Sequence, residues 1–468
     1  MPEAIIHSAK RHVQGILFET PESAKSDVAK NDGPRTNGKS VFSDPAFAQN
    51  KSLPLHRWVP WIAGFSQDFV QDALKRHLAK KETVLDPFSG VGTTLIESIL
   101  AGHEAIGFEI NPYAALACKV KLAAFGINVS ALRDEIRRFR DFFQHAIETN
   151  VQPRAMVPEG FRTRGEFYSP KVLTKVLLVQ DFIARTGDAR MRDLFKIAFA
   201  STMVTYSNYS YEPSLGRRAS AGRGDILDAP VGQVIESKLS EMAQDILWTQ
   251  ERLRGRKPKF KIFNESFFNC RKRLKAGTVD LLLTSPPYLN NYHYNRNTRP
   301  HLYWLGFVNK PADLSPLERD NFGKYWQTVR EEKCIPLNPR IANAEILRTL
   351  DELRQKTPEK GIYGGSGWAN YAASYFNDCY DFSRCAKHVL RKGGTALVVI
   401  GNSILQGVLM PTDRFLIEIA ESVGLEAVEI HVPRATRVGN SIIQSGVRVE
   451  KAQASHSLYE AVVELRKR

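Results

Sequence analysis

Residues 279–288 read Val-Asp-Leu-Leu-Leu-Thr-Ser-Pro-Pro-Tyr, and this stretch predicts both a buried strand and the place where it ends. Four of the first five residues are apolar, which is typical of a strand covered on both faces of a parallel sheet. The two prolines lack a backbone N–H, so they can neither extend the strand ladder nor start a helix at once. The stretch therefore places Ser285, two proline carbonyls and the Tyr288 ring at the carboxyl end of a sheet, where open α/β sheets bind ligands. Taken alone, a Pro-Pro pair is also typical of a plain turn.

A second strand-and-turn stretch occupies residues 83–97, which read Thr-Val-Leu-Asp-Pro-Phe-Ser-Gly-Val-Gly-Thr-Thr-Leu-Ile-Glu. The order predicts a short apolar strand that ends in Asp86, a tight turn with two glycines, and a helix that begins at Thr93. Residues 104–111 then predict another strand, whose end carries Glu109. Glycines let the backbone approach a ligand closely, and an acid at the tip of the second strand accepts hydrogen bonds from ribose hydroxyls. The stretch therefore predicts half of a nucleoside-binding α/β unit.

Two details of this unit indicate its ligand. Leu95 stands where a dinucleotide site has a third glycine, which argues against an oxidoreductase. An acid at Asp86 suits a cationic ligand, such as the amino-acid end of S-adenosylmethionine, better than a pyrophosphate. Read separately, Asp86 and Glu109 are also compatible with ordinary helix-cap or turn residues.

Residues 33–40, Gly-Pro-Arg-Thr-Asn-Gly-Lys-Ser, match the phosphate-loop pattern letter for letter. Such a loop works only between a buried strand and a helix whose N-terminus faces the phosphates. The polar residues on both sides predict neither element. We therefore expect no nucleoside triphosphate site here.

Composition and charge narrow the class of protein. With 468 residues, 43% apolar and 25% charged, the chain is long enough for two or three structural units. No apolar run approaches a membrane span, and residues 1–25 lack the pattern of a secretory signal. A net charge of +15 favours nucleic acid as a partner, although a merely basic enzyme is also compatible with it. The five cysteines contain no C-x-x-C pair, which argues against a disulfide framework or a structural zinc site and favours a reducing cytoplasm.

The rest of the chain predicts an α/β fold with a mixed, mostly parallel sheet. Periodicity predicts mostly helix between residues 123 and 260, and glycines at 361–368 predict a mobile loop. Further strands are predicted at 261–266, 395–403, 426–432 and 458–465. Strands joined without a helix are normally antiparallel, so we expect the last strand to be a reversed edge strand.

The two motifs, Asp86 to Thr94 and Thr284 to Tyr288, together resemble the S-adenosylmethionine-dependent DNA amino-methyltransferases, particularly the N4-cytosine type of bacterial restriction–modification systems. The resemblance covers about residues 54–122, 262–310 and 370–468. It implies a Rossmann-like methyltransferase fold with a seven-stranded sheet, S-adenosyl-L-methionine as cofactor, double-stranded DNA as substrate and a cognate restriction endonuclease as partner. It also implies a DNA-associated location in the bacterial cytoplasm, away from any membrane.

The resemblance also implies an organisation of the chain and a set of site residues. The predicted segments are a basic arm (1–53), three catalytic parts (54–122, 261–310 and 370–468), a helical insertion that is a candidate for target recognition (123–260), and an insertion or mobile loop that is a candidate DNA contact (311–369). The catalytic turn consists of Ser285, Pro286, Pro287 and Tyr288. Cofactor contacts are implied for Trp58, Phe65, Ser66, Asp86, Pro87, Phe88, Gly90, Gly92, Thr93, Thr94, Glu109, Ile110, Asn111, Glu265 and Ser266. No metal ion is expected.

Two stretches rich in aromatic residues and arginine predict contacts with DNA, because rings stack on bases and guanidinium groups bind phosphates. The first, around residues 206–223, is equally compatible with a solvated loop. The second follows the catalytic turn. The residues predicted to contact DNA are Tyr209, Arg217, Arg218, Arg223, Asn291, Tyr292, Tyr294, Arg296 and Arg299.

The leading hypothesis is therefore a site-specific DNA methyltransferase that acts on the N4 amino group of cytosine. Serine rather than aspartate at the head of the catalytic turn favours cytosine. The nearest alternative is N6-adenine methylation by the same site; an RNA amino-methyltransferase and a non-catalytic DNA-binding subunit are less favoured.

Overall fold

The computed structural model describes residues 41–61, 64–211, 215–289, 294–434 and 458–468, and its centre is a seven-stranded sheet. The strands are β1 (Thr83–Asp86), β2 (Glu104–Phe108), β3 (Phe260–Phe263), β4 (Val279–Thr284), β5 (Leu390–Gly401), β6 (Leu425–Arg434) and β7 (Glu460–Lys467). Their order across the sheet is β6-β7-β5-β4-β1-β2-β3. Strands β3, β2, β1, β4 and β5 pair in parallel, whereas β7 runs antiparallel to both of its neighbours. The mostly parallel, mixed α/β sheet expected from the sequence is confirmed.

The reversed strand is not at the edge of the sheet, which corrects one part of that expectation. Strand β7 lies between β5 and β6, and Val462 pairs with Val399 on one side and His431 on the other. Residues 461–465 of β7 are buried, whereas β6 carries the exposed Glu429. The more apolar strand, β7, therefore takes the inner position. The chain order predicted the direction of β7 but not its place in the sheet.

Fourteen α-helices surround the sheet in the described residues. They are α1 (Gln67–His77), α2 (Thr93–Ala101), α3 (Pro112–Leu122), α4 (Val129–Glu148), α5 (Pro170–Arg185), α6 (Ala189–Thr202), α7 (Val231–Leu253), α8 (Cys270–Arg273), α9 (Tyr294–Trp304), α10 (Ser315–Arg319), α11 (Trp326–Val329), α12 (Ala344–Arg354), α13 (Gly365–Val389) and α14 (Thr412–Ser422). None of these helices is long and apolar enough to cross a membrane.

The central strands are buried on both faces because their side chains alternate between two apolar cores. Leu281 and Leu283 of β4 pack with α1, in a core that includes Phe69. Leu282, between them, belongs to a second core with α13 and α14. The apolar run that the sequence shows at β4 is thus explained by helices on both sides of the sheet.

Helices α4 to α7 form a third core together with α2 and α3. The carboxylate of Asp245 on α7 joins this helical region to the chain before α1. It accepts hydrogen bonds from the backbone N–H of Leu55, from the Arg57 guanidinium and from Nε1 of Trp58, at 2.6–3.1 Å. Because Asp245 is 1% exposed, these charge-assisted bonds hold the segment firmly to α7.

The loop predicted at residues 361–368 is wrong in its second half, because α13 begins at Gly365. A Cβ at Gly365 would lie 1.8 Å from the carbonyl oxygen of Leu353, and one at Gly367 would lie 2.1 Å from that of Ile362. The two glycines therefore allow close packing of backbones rather than mobility. The phosphate-loop pattern at 33–40 and the basic arm up to residue 40 lie outside the described residues.

Candidate active site

The two sequence motifs meet at the carboxyl ends of adjacent strands. Strands β1 and β4 pair in parallel, with Leu85 opposite Leu282, so Asp86 and Thr284 both stand at the same edge of the sheet. The Thr284 hydroxyl donates a hydrogen bond of 2.7 Å to Oδ1 of Asp86. The acidic glycine turn and the proline turn are thus joined directly, although 198 residues separate them in sequence.

Both turns line a single pocket, whose empty volume of about 650 Å³ includes space open to solvent. The glycine turn contributes Pro87, Phe88 and Gly90, and the proline turn contributes Ser285 and Pro287. The other lining residues are Trp61, Glu109, Ile110, Asn111, Glu265, Ser266, Phe267, Asn295, Asp320, Asn321 and Phe322. Aromatic rings and polar groups therefore both line this one cleft.

The two glycines of the first turn are required by the backbone and by close packing. Gly90 has φ +50° and Gly92 has φ +92°, in the left-handed region that favours glycine. A Cβ at Gly92 would lie 2.7 Å from Sγ of Cys118, and one at Gly90 would lie 3.1 Å from Nε1 of Trp61. Gly90 thus keeps the wall of the pocket open beside the Trp61 ring.

Asp86 lies buried just beneath the pocket, at 2% exposure. Burial raises the pKa of its carboxyl to about 6, against the hydrogen bonds from Thr284 and from the N–H of Phe88, which favour the charged form. No lysine or arginine pairs with Asp86 in the described part of the chain. A cationic ligand would supply the missing charge partner.

Glu109 follows β2 and lines the next part of the pocket. Its carboxylate accepts hydrogen bonds of 2.8 Å from the backbone N–H groups of Gly90 and Asn111. Burial in the pocket wall raises the pKa of Glu109 to about 7, and the nearby charge of Asp86 acts in the same direction. A carboxylate held by backbone donors at this place is suited to accept from ligand hydroxyls.

Hydrogen bonds from two other elements hold the catalytic turn in place. The Ser285 hydroxyl lies 3.5 Å from Oη of Tyr288, which in turn donates to Oε1 of Glu460 at 3.2 Å. The carbonyl of Pro287 accepts a hydrogen bond of 3.0 Å from the buried Tyr375 hydroxyl. The turn is therefore fixed from β7 on one side and from α13 on the other, with Ser285 facing the pocket.

Three of the residues predicted to contact the cofactor do not reach the pocket. Trp58 is fully buried and donates its indole N–H to Asp245. Phe65 packs on Phe69, with ring centroids 5.4 Å apart, and the Ser66 hydroxyl caps α1 by accepting from the N–H of Phe69. Among the described residues between Trp58 and Phe65, Trp61 lines the pocket.

The remaining predicted cofactor contacts line the pocket, except for Asp86, Gly92, Thr93 and Thr94. Thr93 and Thr94 are buried in the first turn of α2, which Gly92 caps. Asn111 caps α3 and also donates its amide to Thr298 on α9 at 2.7 Å. Glu265 lines the pocket while it pairs with the Arg273 side chain.

The predicted DNA contacts separate into buried and surface residues. Tyr209 is 8% exposed and stacks on Phe167, so its ring belongs to the core, which corrects the expectation that it meets bases. Arg218 and Arg223 lie beside it on the surface turn that follows the hairpin Tyr209–Tyr211 and Leu215–Arg217. Asn291 and Tyr292 lie outside the described residues, as does the Tyr294 side chain.

This arginine-bearing hairpin is attached to the helix that follows the catalytic turn. Tyr211 donates to the carbonyl of Asn297, and the N–H of Leu215 donates to the Asn297 side chain, at 3.1 and 2.8 Å. Helix α9 carries Arg296 on an exposed position and Arg299 near the Tyr303 ring. The two stretches that the sequence singled out separately therefore lie side by side near the pocket.

Sequence reasoning missed several residues that line the pocket. Asn295 lies in the amide-rich stretch after the catalytic turn, so its composition was a usable signal. Asp320, Asn321 and Phe322 come from the irregular insertion, where no motif distinguishes them. Phe322 packs on Phe88 with ring centroids 5.2 Å apart, which brings the insertion to the pocket.

The pocket fits the chemical groups of S-adenosylmethionine. Asp86 is a buried acid without a cationic partner in the described residues, which suits the positive charge of the ligand. Glu109 offers an acceptor for ribose hydroxyls, and Phe88, Trp61 and Phe322 offer apolar walls. Ser285 shares the same cleft, so a donor group bound there would face the catalytic turn.

The sequence is similar to those of known proteins. A family model described as DNA methylase matches residues 10–119. The type II methyltransferase M.BsoBI of Geobacillus stearothermophilus is 24% identical, over 86% of this chain and 84% of its own length. The type II methyltransferase M.AvaI of Anabaena variabilis is 22% identical, over 87% of this chain and 86% of its own length. Among solved structures, an rRNA methyltransferase from Streptomyces viridochromogenes aligns over 87% of each chain with 10% identity, but its TM-score of 0.28 is too low to show a common fold. The sequence matches support what the two motifs indicate: the chain is similar to S-adenosylmethionine-dependent DNA amino-methyltransferases of restriction–modification systems.

Proposed function

We propose that this protein is a site-specific DNA methyltransferase that transfers a methyl group from S-adenosylmethionine to the N4 amino group of cytosine. The observation that carries the proposal is the shared pocket, in which the Asp86 turn and the Ser285 turn are linked by the hydrogen bond between Thr284 and Asp86. Because residues of both turns line the pocket, a ligand bound there can touch both turns. A methyl donor and a base amine can therefore meet there.

The catalytic turn has the groups that this reaction needs. An exocyclic amino group is a poor nucleophile because its lone pair is delocalised into the ring. The Ser285 hydroxyl oxygen and the Pro286 carbonyl would each accept one N–H bond, which favours a pyramidal nitrogen whose lone pair points into the pocket. S-adenosylmethionine, when bound, supplies a methyl group on a positively charged sulfur. No covalent intermediate with the protein is required.

Tyr288 completes the base site in this proposal. The carboxylate of Glu460 accepts from the Tyr288 hydroxyl and so fixes one edge of the ring. The ring would stack on a base that has been turned out of the duplex, an extrusion that costs a few kcal/mol. Contacts of the arginine-bearing hairpin and α9 with DNA phosphates would offset part of that cost.

The choice of cytosine rests on Ser285, since serine at the head of this turn favours cytosine in the family that the motifs resemble. N6-adenine methylation by the same site is the second candidate. The family model described as DNA methylase supports DNA as the substrate, and both relatives are named type II methyltransferases. A cognate endonuclease as partner and a cytoplasmic location stay predictions.

The proposal is tested by tritiated methyl transfer to duplex DNA, followed by nucleoside analysis of the product. We expect label in N4-methylcytosine, and its loss in Ser285→Ala but not in the exposed control Ser130→Ala. Label found only in N6-methyladenine would refute the base assignment. Preferred methylation of RNA in competition, or absence of cofactor binding in calorimetry, would refute DNA methylation itself.

A further inference from the structure

A second concave surface lies away from the active site and has an empty volume of about 790 Å³, open to solvent. Six basic side chains line it, and we call it the basic pocket. They are Arg271, Arg340, Arg384, Lys387, His388 and Lys467. Its other lining residues in the described part of the chain are neutral, so no carboxylate faces it there.

The basic pocket lies at the amino ends of the parallel strands, opposite the active site. Its lining residue Ala276 precedes β4, His388 precedes β5, and Val423 precedes β6. Lys467 ends the reversed strand β7 at the same edge of the sheet, where it pairs with the first residue of β6. The six residues of β4 alone put roughly 20 Å between the two sites. A ligand in the basic pocket therefore cannot touch the catalytic turn.

Two of the six basic side chains are lysines whose ammonium groups are held by neutral carbonyls. Nζ of Lys387 donates to the carbonyl of Val423 at 2.5 Å, and Nζ of Lys467 donates to the carbonyl of Leu390 at 2.7 Å. Burial lowers the pKa of Lys467, and the charge of Lys387 lowers it further. These ammonium groups repel each other without a carboxylate between them, so an anion bound there would be stabilised.

Three arginines add to this positive field. Arg384 lies 3.4 Å from the exposed Asp381, a pair that water screens strongly. Arg271 and Arg340 are exposed and form no ion pair with the described residues. The planar, multiply donating guanidinium group suits the oxygens of phosphate.

Other basic side chains at the same edge of the sheet are paired with carboxylates. Arg391, at the start of β5, pairs with Asp280 and lies 3.4 Å from Glu82. Lys81 and Lys259 each lie 3.3 Å from Glu104. The basic pocket thus differs from its neighbouring surface in lacking acids, which a generally basic composition does not explain.

We propose that the basic pocket binds phosphate groups, at a site separate from the active site. Tyr380, the aromatic residue of the pocket, is 7% exposed and offers little ring surface for a base to stack on. Recognition is therefore of phosphate oxygens rather than of bases. Such phosphates belong either to a free polyphosphate or to a stretch of nucleic acid outside the one bound at the active site.

The test uses the full chain and two probes, sodium tripolyphosphate and a short duplex, each titrated by calorimetry at physiological salt. The pocket variant is Arg271→Glu with Arg340→Glu. The control is Arg133→Glu with Lys257→Glu, two exposed cations elsewhere whose replacement changes the net charge equally. We expect tripolyphosphate binding to weaken about 10-fold or more in the pocket variant and to change less than about 2-fold in the control.

The outcomes separate the two sources of phosphate. Loss of both tripolyphosphate and duplex binding in the pocket variant alone indicates nucleic acid, and loss of tripolyphosphate alone indicates a free anion. Equal effects of the pocket and control variants, or no saturable binding of tripolyphosphate by the wild type, would overturn the site. Cofactor affinity should stay unchanged in both variants, so this result is independent of the methyl-transfer assay.

Discussion

Replacing Thr284 by valine removes one hydroxyl and keeps the shape of β4. In the structure this hydroxyl donates to Asp86 at 2.7 Å, and both side chains are at most 2% exposed. A hydrogen bond to a charged group contributes about 1.5–3 kcal/mol, and about 1.4 kcal/mol corresponds to a pKa change of 1. The substitution should therefore raise the pKa of Asp86 from about 6 to about 7.5.

The consequence for the cofactor follows from the charge of Asp86, because only its ionised form attracts a cationic ligand. At pH 7 the ionised fraction should fall from about nine tenths to about one quarter, which weakens cofactor binding about 4-fold. At pH 6 the loss of cofactor affinity should grow to about 15-fold. At pH 8.5 it should nearly vanish, because Asp86 is then mostly ionised in both the wild type and the variant. S-adenosylmethionine itself titrates in the same way with both proteins. Dividing the wild-type affinity by the variant affinity at each pH therefore cancels that contribution.

Isothermal titration calorimetry with S-adenosylmethionine between pH 6 and 8.5 measures this ratio. Thr202→Val is the matched control, since the buried Thr202 hydroxyl has only neutral partners: the carbonyls of Ala198 and Phe199 and the hydroxyl of Tyr206. A ratio of affinities that does not change with pH in Thr284→Val would refute the role given to Asp86.

Three further substitutions test the remaining parts of the account. Gly92→Ala should lower the free energy of unfolding, measured in denaturant melts, by about 2 kcal/mol or more, because φ is +92° and a Cβ would lie 2.7 Å from the Cys118 thiol. The control Gly255→Ala also has a positive φ but lies in open space, so it should lower that free energy by about 1 kcal/mol. Asp245→Ala leaves a buried indole and a guanidinium without their acceptor and should cost about 3–5 kcal/mol; a loss below about 1 kcal/mol would contradict the anchoring. Arg217→Ala with Arg218→Ala should weaken duplex binding and reduce the salt slope of the affinity by the equivalent of up to two phosphate contacts. An unchanged salt slope would contradict contact between the hairpin and DNA.

The positions of Asp86 and Ser285 could be predicted because strand ends determine them. A buried strand must stop at a proline or glycine turn, and the residue at that stop is placed at the carboxyl edge of the sheet whatever surrounds it. The direction of β7 was predictable for a similar local reason, since the sequence between β6 and β7 carries little helical signal. Its inner position was not, because that depends on which strand buries more apolar surface.

The choice between two neighbouring tryptophans shows where sequence reasoning ends. Trp58 and Trp61 are three residues apart, and only the partner of each ring tells which one lines the pocket. The partner of Trp58 is Asp245, 187 residues away on α7. Tyr209 is similar, since its ring is turned inward by Phe167. Such contacts come from tertiary packing, which no local pattern encodes.

Single-turnover methyl transfer by Ser285→Ala, measured beside its affinity for S-adenosylmethionine, tests the shared pocket most directly. If the serine oxygen accepts from the target amine, the transfer rate should fall at least about 100-fold while the cofactor dissociation constant changes less than about 2-fold. A variant that transfers methyl groups at the rate of the wild type would contradict the account.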